Sequence, residues 1–352
     1  MVAPLDPPRP GEGDQPQAGG AGAGPGPGPP PPRAKVARSP SPSRGGSRKT
    51  RTLAITGGTG FVGSHLIRAA RAQGYEVRAL TRLWRPPEDG IDWVEGALDR
   101  PEALARLAAG ADAIVHVAGL INAPGRAAFE AVNAGGTAAM VDAARRARVR
   151  RFVHVSSLAA REPGLSDYGW SKAKAERIVA ASGLDWTILR PPAVYGPGDR
   201  ETFELFRMAR RGLVALPPKG RFSLLHVDDL ARLVLAVVDE PDTIAETYEP
   251  DDGQPNGWDH RHFARTLGRI LGRRAATVSM PRFVLRGAAR LDRLLRRGRA
   301  KLTPDRVRYY CHPDWVAAAD LRPPEALWTP QIRTPTGLKQ TADWYRSEGW
   351  LR

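Results

Sequence analysis

Between Leu53 and Gly63 the chain reads LAITGGTGFVG, a short apolar run closing on three glycines spaced three apart, after which the apolar residues recur with helical periodicity. A buried strand that turns straight into a helix leaves little choice of architecture. The three glycines have separate roles, Gly57 for the tight turn, Gly60 for close approach of the backbone to a phosphate, and Gly63 for close packing of helix on strand. The unpaired amides of the first helical turn, with the helix dipole behind them, attract an anion. Gly57, Thr59, Gly60, Phe61, Val62 and Gly63 are therefore the expected cradle for the pyrophosphate of a dinucleotide. The competing reading is a tight turn of purely structural purpose, and the strand before and helix after weigh against it.

The same alternation continues. Apolar runs at 53–56, 76–80, 113–117, 152–156 and 186–190 are separated by helical patterns near 61–73, 101–109, 133–147 and 169–182. Short strands joined by helices imply parallel pairing through right-handed crossovers, hence an α/β, Rossmann-type doubly wound sheet. A strand and helix over 223–238 are expected to complete it. The expected organisation is a Pro/Gly-rich basic tail over 1–50, a nucleotide-binding domain over 51–238 with a cap insertion at about 196–222, and a substrate-binding cap made mainly of 239–352. The tail carries GGAGAGPGPGPPPP and RSPSPSRGGSRK, too poor in apolar residues to offset the entropy of ordering, and is expected to be disordered.

The net charge of +16 would favour nucleic acid if it were concentrated, but residues 1–52 hold +5 of it (eight basic, three acidic) and the rest is dispersed. No nucleic-acid-binding motif accompanies it, so no such partner is expected. One cysteine, Cys311, excludes an intramolecular disulfide and a multi-cysteine metal site, and no metal is expected. With no apolar run of 18 residues and no secretory signal, a cytoplasmic protein is the expectation.

Tyr168 and Lys172 stand four apart at the start of a helical pattern, on one face. A free phenol titrates near about 10, and a cation beside it brings that transition towards a usable range for proton transfer. The second strand ends at Arg82 with no carboxylate to bind a ribose 2′-hydroxyl, so NADP(H) is favoured over NAD(H).

These features occur with others in an order that resembles the extended short-chain dehydrogenase/reductases. TGGTGFVG is similar to that family's cofactor signature; it is followed by Leu98 and Asp99, HVAG with Ala118 and Gly119, VNAGGT with Asn133, VSS, YGWSK, LRPPAVYGPGD with Pro191 and Val194, and HVDDLA. The resemblance spans roughly residues 51–238. It implies that Leu98 and Asp99 contact adenine, that Ala118, Gly119, Asn133, Pro191 and Val194 border the cofactor, and that Ser157, Tyr168 and Lys172 are catalytic. Ser157 orients the substrate, Tyr168 relays the proton and Lys172 also holds the ribose. Ser156 is the less favoured alternative to Ser157. His116 and His226 are read as packing or hydrogen-bonding residues, not metal ligands.

Members acting on nucleotide sugars commonly carry an asparagine three residues after the arginine of the sixth strand. Here Arg190 is followed by Pro191, Pro192 and Ala193, which resembles instead the branches that act on hydrophobic alcohols and ketones, such as hydroxysteroid dehydrogenases and dihydroflavonol reductases. The expected function is hydride transfer to or from a hydroxyl or keto carbon of a small or lipophilic substrate. The alternatives are a nucleotide-sugar epimerase or dehydratase and a non-catalytic NAD(P)H-binding scaffold or redox sensor. Finally, the segment 281–301 carries eight basic residues around Phe283, Val284, Ala288, Leu291, Leu294 and Leu295. The preferred reading packs these apolar residues on the cap core, and contact with an anionic membrane surface is the second.

Overall fold

A computed structural model describes residues 50–296 and 302–351; the tail and the 297–301 end of the basic segment lie outside the described residues. Seven parallel strands form the central sheet: β1 (Thr52–Thr56), β2 (Glu76–Thr81), β3 (Ile91–Glu95), β4 (Ala113–His116), β5 (Arg151–Val155), β6 (Asp185–Leu189) and, at one edge, β11 (Glu246–Tyr248). Their order is β11-β6-β5-β4-β1-β2-β3. The strand order reverses between β1 and β4, and such a reversal opens a crevice for ligands at the carboxyl ends.

One face carries α1 (Phe61–Ala72) and α7 (Val227–Asp239), whose Leu66, Ile67, Leu230, Leu233 and Val234 pack on Leu53, Ile55 and Val153. The other carries α2 (Pro101–Ala108), α4 (Gly136–Arg146) and α5 (Asp167–Ala180), with Leu104, Leu107, Met140 and Val179 packed on Ile114 and Phe152. A four-residue helix, α3 (Arg126–Phe129), and a π-helical turn at Glu130–Gly135 lead into α4. Strands buried on both faces must be apolar throughout, which is why β1, β4 and β5 were legible as continuous runs.

One strand expectation is corrected. Leu224–His226 (β10) does not join the main sheet. It pairs with β7 (Ala193–Tyr195), and the seventh strand is β11, whose ETY is too short to carry a pattern. β3 carries no continuous apolar run because Asp92 and Glu95 interrupt it, as acids can in an edge strand next to solvent.

The cap core gathers α6 (Phe203–Arg210), α8 (His260–Ile270) and α11 (Thr334–Ser347) around Phe206, Phe263, Leu267, Leu338 and Tyr345. Two parallel strands, β8 (Leu213–Leu216) and β13 (Ala276–Ser279), flank it, and β9 (Arg221–Phe222) pairs with β12 (Trp258–Asp259) and β14 (Asp314–Trp315). Buried Asp229 of α7 ties the chain before α11 in place, accepting hydrogen bonds from the amides of Gln331 (3.3 Å) and Ile332 (3.0 Å). Two further helices, α9 (Arg282–Arg296) and α10 (Pro304–Tyr310), form a separate small cluster in which Leu285 and Ala289 meet Leu302, Val307 and Cys311. Against the preferred sequence reading, α9 does not bury Leu291, Leu294 or Leu295, which are 56%, 75% and 73% exposed, nor Phe283, which is 75% exposed. The buried face is the narrower one of Leu285 and Ala289.

A β-carbon on Gly63 would stand 2.0 Å from the carbonyl oxygen of Gly57, so α1 could not keep its seat. Gly63→Ala is expected to destabilise the fold by about 1–3 kcal/mol and to weaken nucleotide binding more than about tenfold. Gly287→Ala, on an open helix surface, is expected to be neutral or stabilising by up to about 1 kcal/mol. Thermal melts and nucleotide titration check both.

Candidate active site and cofactor cleft

Gly57 has φ +74°, and a β-carbon there would lie 2.8 Å from the amide nitrogen of Ala118. The turn after β1 is thus pressed against the segment leaving β4, which brings Ala118 and Gly119 beside the glycine-rich loop. The Gly60 amide closes the turn by donating to Gly57 O at 3.0 Å. Gly60 caps α1 with no side-chain hydrogen bond, the first turn has no acid, and the Phe61 and Val62 amides have no acceptor among the described residues. Thr59 and Gly60 are exposed, and Phe61 and Val62 half-buried. Open, outward-facing amides at a glycine cradle suit a pyrophosphate. From the other side, His65 of α1 donates through Nε2 to Pro197 O (2.9 Å) while its Nδ1 lies 2.5 Å from Asp228, fixing the loop after β7 next to α1. The His65 ring holds the Asp228 carboxyl below the usual carboxylate range.

At the far end of β2, Thr81 is buried and its hydroxyl turns back to Leu83 O (2.7 Å), leaving Arg82 exposed at the strand end. Arg85, unnoticed in the sequence, lies over the Trp93 ring at 4.8 Å, so a second guanidinium stands near the first. Leu98 is half-buried, its side chain occupying the space that Gly136 leaves, and Asp99 is exposed in the same turn.

A chain of buried hydrogen bonds fixes the middle of the cleft. The Ala118 amide donates to Thr56 Oγ1 (3.2 Å), which lies 2.8 Å from His116 Nδ1; His116 Nε2 lies 3.0 Å from Thr137 Oγ1, which donates to Asn133 O (2.5 Å). Thr137's hydroxyl proton is committed to that carbonyl, so His116 Nε2 is the donor to Thr137 and Nδ1 the acceptor from Thr56. Burial, and secondarily Lys172, holds His116 neutral, with its pKa lowered to about 3. Asn133 clamps the backbone of Leu120 in both directions, accepting from its amide (2.7 Å) and donating to its carbonyl (3.0 Å), and also donates to Ser171 (2.9 Å). His226 caps α7, its Nδ1 accepting from the Asp228 amide at 3.2 Å.

Ser157, Tyr168 and Lys172 converge at the carboxyl end of β5. Ser166 caps α5, accepting from the Gly169 amide (2.9 Å), so Tyr168 falls in its first turn. A β-carbon on Gly169 would meet Ala159 O at 2.5 Å, and this close approach seats the start of α5 on the turn that follows Ser157. Burial raises the Tyr168 pKa, and a hydrogen bond with Ser157 opposes it. Lys172, one turn on, is buried; its ammonium donates to Val155 O at 2.8 Å, and burial, opposed by Glu176, pulls its pKa down to about 8. Its ammonium is directed to the strand carbonyl, one helical turn on from the phenol. Pro191 O accepts from the Leu158 amide (2.9 Å), and Pro191 and Val194 lie next to this strand end.

Ser156 turns the other way. Its hydroxyl donates to buried Glu176 (2.5 Å), which Arg190 grips through Nε (2.9 Å) and a terminal nitrogen (2.7 Å). Arg190 and Arg161 both reach fully buried Glu249 (3.5 and 3.4 Å), and Arg161 also donates to the carbonyls of Val316 and Asp314. Sequence reading missed this network, since its members come from separate segments. Also missed was α10: Asp305 accepts from the Asp167 amide (3.1 Å), and burial, with the nearby Tyr168 phenol second, disfavours ionisation of Tyr309. Tyr309 packs on Trp315 with ring centroids 4.6 Å apart and planes tilted by 35°, so an aromatic pair adjoins Tyr168 through Tyr309.

Residues 53–249 match the model of the NAD dependent epimerase/dehydratase family. The chain belongs to that family. Its relatives are extended short-chain dehydrogenase/reductases, and the fold is that of an NAD-binding oxidoreductase, epimerase or dehydratase. It is 37% identical to a ceramide reductase of Caulobacter vibrioides, over 85% of this chain and 96% of the relative. It is 30% identical, over 68% and 79% respectively, to a 4-hydroxy-2-methyl-3-oxo-4-farnesyl-3,4-dihydroquinoline-1-oxide ketoreductase of Stigmatella aurantiaca. Among solved structures, a dTDP-glucose 4,6-dehydratase from Streptomyces venezuelae with NAD bound superposes with a TM-score of 0.63 at 24% identity, covering 86% of this chain and 98% of that one, a likeness of fold.

Two substitutions separate neighbouring serines. Ser156→Ala, which removes a buried donor from Glu176, is expected to cost about 1–2 kcal/mol in stability and to spare turnover, whereas Ser157→Ala is expected to spare stability and lower turnover. Denaturant melts beside steady-state rates check this. A buried lysine with a depressed pKa penalises the fold below about pH 8, where it is charged in both states, and stability then rises with pH up to the unfolded value near 10.5. Lys172→Met is therefore expected to melt above the parent at about pH 7, and the difference to shrink by about pH 10.

Proposed function

We propose that the chain is an NADPH-dependent reductase of a ketone on a lipophilic substrate. The observation that carries the reading is the pairing of Tyr168 with Ser157, with the aromatic pair of Tyr309 and Trp315 adjoining Tyr168 through Tyr309. A bound nicotinamide cofactor would supply the hydride. Gly57, Thr59, Gly60, Phe61, Val62 and Gly63 would hold its pyrophosphate, Arg82 and Arg85 the 2′-phosphate, Leu98 and Asp99 the adenine, and Ala118, Gly119, Asn133, Pro191 and Val194 the nicotinamide side, with Lys172 on the ribose.

The two hydroxyls of Ser157 and Tyr168 converge on the carbonyl oxygen. Burial keeps the phenol protonated at neutral pH, so Tyr168 enters as an acid, giving its proton to the oxygen as that oxygen gains negative charge. Ser157 donates to the same oxygen and restrains the phenol. The phenolate left behind is reprotonated from solvent, so each turnover consumes one hydride and one proton.

Support for a lipophilic substrate comes from the aromatic pair and from the arginines. Arg190 is saturated by Glu176 and Glu249, and Arg161 by Glu249 and two carbonyls, so neither is placed to grip a diphosphate. Ala193 stands where nucleotide-sugar enzymes commonly carry an amide. The ceramide reductase and the farnesyl-quinoline ketoreductase act, by name, on lipophilic compounds.

A panel of long-chain ketones, steroids and nucleotide sugars, followed by nicotinamide absorbance, tests the substrate class. On an active ketone, Tyr168→Phe is expected to lower kcat by a factor on the order of 10² to 10⁴ while nucleotide affinity holds. Parent-like turnover by that variant overturns the mechanism. Arg82→Ala and Arg85→Ala are each expected to lower the preference for NADPH over NADH by about tenfold; an unchanged ratio in both removes the assignment.

A further inference from the structure

Helix α9 presents three different surfaces. At about 100° per residue, Leu285, Ala289 and Asp292 share one side, the side that packs on α10 through Val307, Cys311 and Leu302; Asp292 there accepts from the Leu302 amide at 2.8 Å. Next to that side, Arg282, Arg286 and Arg290 form a cationic flank, all exposed, with Arg282 also donating to Cys311 O at 2.9 Å. The remaining arc holds Phe283, half-buried Val284, Gly287, Ala288, Leu291, Leu294 and Leu295. Its large side chains are 56% to 75% exposed, and no acid stands on this arc or on the flank. A singly exposed leucine needs no explanation, but four large apolar side chains on one arc, bordered by cations, do.

We propose that this face of α9 docks on an anionic lipid surface. Charge decides the occupant. The arginine flank complements anionic headgroups while the apolar arc enters the headgroup and acyl boundary, as an interfacial amphipathic helix does. A second copy of the chain pairing antiparallel through the same face about a two-fold axis would bring the two cationic flanks together, and like charges oppose it. No described helix is long and apolar enough to cross a bilayer, so this contact lies on the membrane and does not span it.

The position of α9 gives the contact a use. α9 rests on α10, and α10 rests on the start of α5 through Asp305 to the Asp167 amide, Arg308 to Leu165 O (3.1 Å), and Tyr309 beside Tyr168. The two helices thus link the docking face to the tyrosine by packed contacts, which sets the cleft mouth near the bilayer surface. A lipophilic ketone would then pass from the bilayer to the cleft without crossing water; this last step rests on the function proposed above, and the docking does not.

The test is cosedimentation of the full chain, without substrate, with vesicles of phosphatidylcholine alone and of phosphatidylcholine and phosphatidylglycerol in equal parts, at low salt and with added salt. Recovery with the anionic vesicles, at least about tenfold above the neutral ones and reversed by salt, is expected. Arg286→Gln with Arg290→Gln is expected to weaken it by about fivefold per arginine. Leu291→Gln with Leu294→Gln and Leu295→Gln is expected to abolish it with melting temperature and nucleotide affinity unchanged, since these side chains are exposed. Equal recovery on both vesicles, or parent-like binding by both variants, overturns the proposal, as does a dimer of the parent that the leucine variant dissolves. Vesicle binding by a protein that reduces no ketone would sink the proposed function and leave the docking face standing.

Discussion

Two close approaches of a helix to a strand end, each possible only where a side chain is missing, set the geometry on which the rest depends. Gly63 lets α1 sit on the turn at Gly57, and Gly169 lets α5 sit on the turn after Ser157. The first aims unpaired amides at the crevice where the strand order reverses; the second brings Tyr168 to Ser157. Parallel register does the remainder. Because β1, β4, β5 and β6 end side by side, residues far apart in sequence meet at one edge of the sheet.

Holding that edge has an electrostatic cost, and the structure disperses it. Lys172 is buried against a strand carbonyl, with Glu176 one helical turn beyond, and Glu176 is shared by Ser156 and Arg190. Arg190 reaches Glu249, and Glu249 reaches Arg161. Buried charges are tolerated when every lone pair and proton has a partner, and breaking one partner then exposes the cost of the others. The network also reaches the cap, since Arg161 donates to carbonyls of the β14 segment and the Ala318 amide donates to Glu249 (2.9 Å). The same charges that support this edge of the sheet therefore set the position of the segment that carries Trp315.

The sheet was legible where physics makes sequence periodic. Doubly buried strands read as apolar runs, and the glycine turn declared itself because a dinucleotide-binding turn has few solutions. Edge and very short strands, β3 and β11, carried no comparable signal. Tyr168, Lys172 and the Ser157 strand end were legible as a spacing and by resemblance; that Ser156 faces Glu176 and Ser157 faces Tyr168 follows from strand alternation, and alternation alone does not say which face is which. Glu176, Glu249, Arg161 and Tyr309 were invisible because their partners lie in distant segments. In α9 the periodicity was read correctly and its direction was not: an amphipathic pattern fixes two faces, and only the packing of Leu285 and Ala289 on α10 shows which one is covered.

The central claim is that the cofactor's hydride leaves it for good, ending on the carbon of a ketone, with Tyr168 giving the proton. Reduced nicotinamide cofactor carrying deuterium at the transferred position, incubated with a long-chain ketone and the full chain, tests this directly by mass spectrometry of the product. The account predicts an alcohol one mass unit heavier than that formed with unlabelled cofactor, in one-to-one ratio with cofactor oxidised. A nucleotide sugar altered in configuration with no net oxidation of the cofactor would contradict it, as would a reduced product free of deuterium.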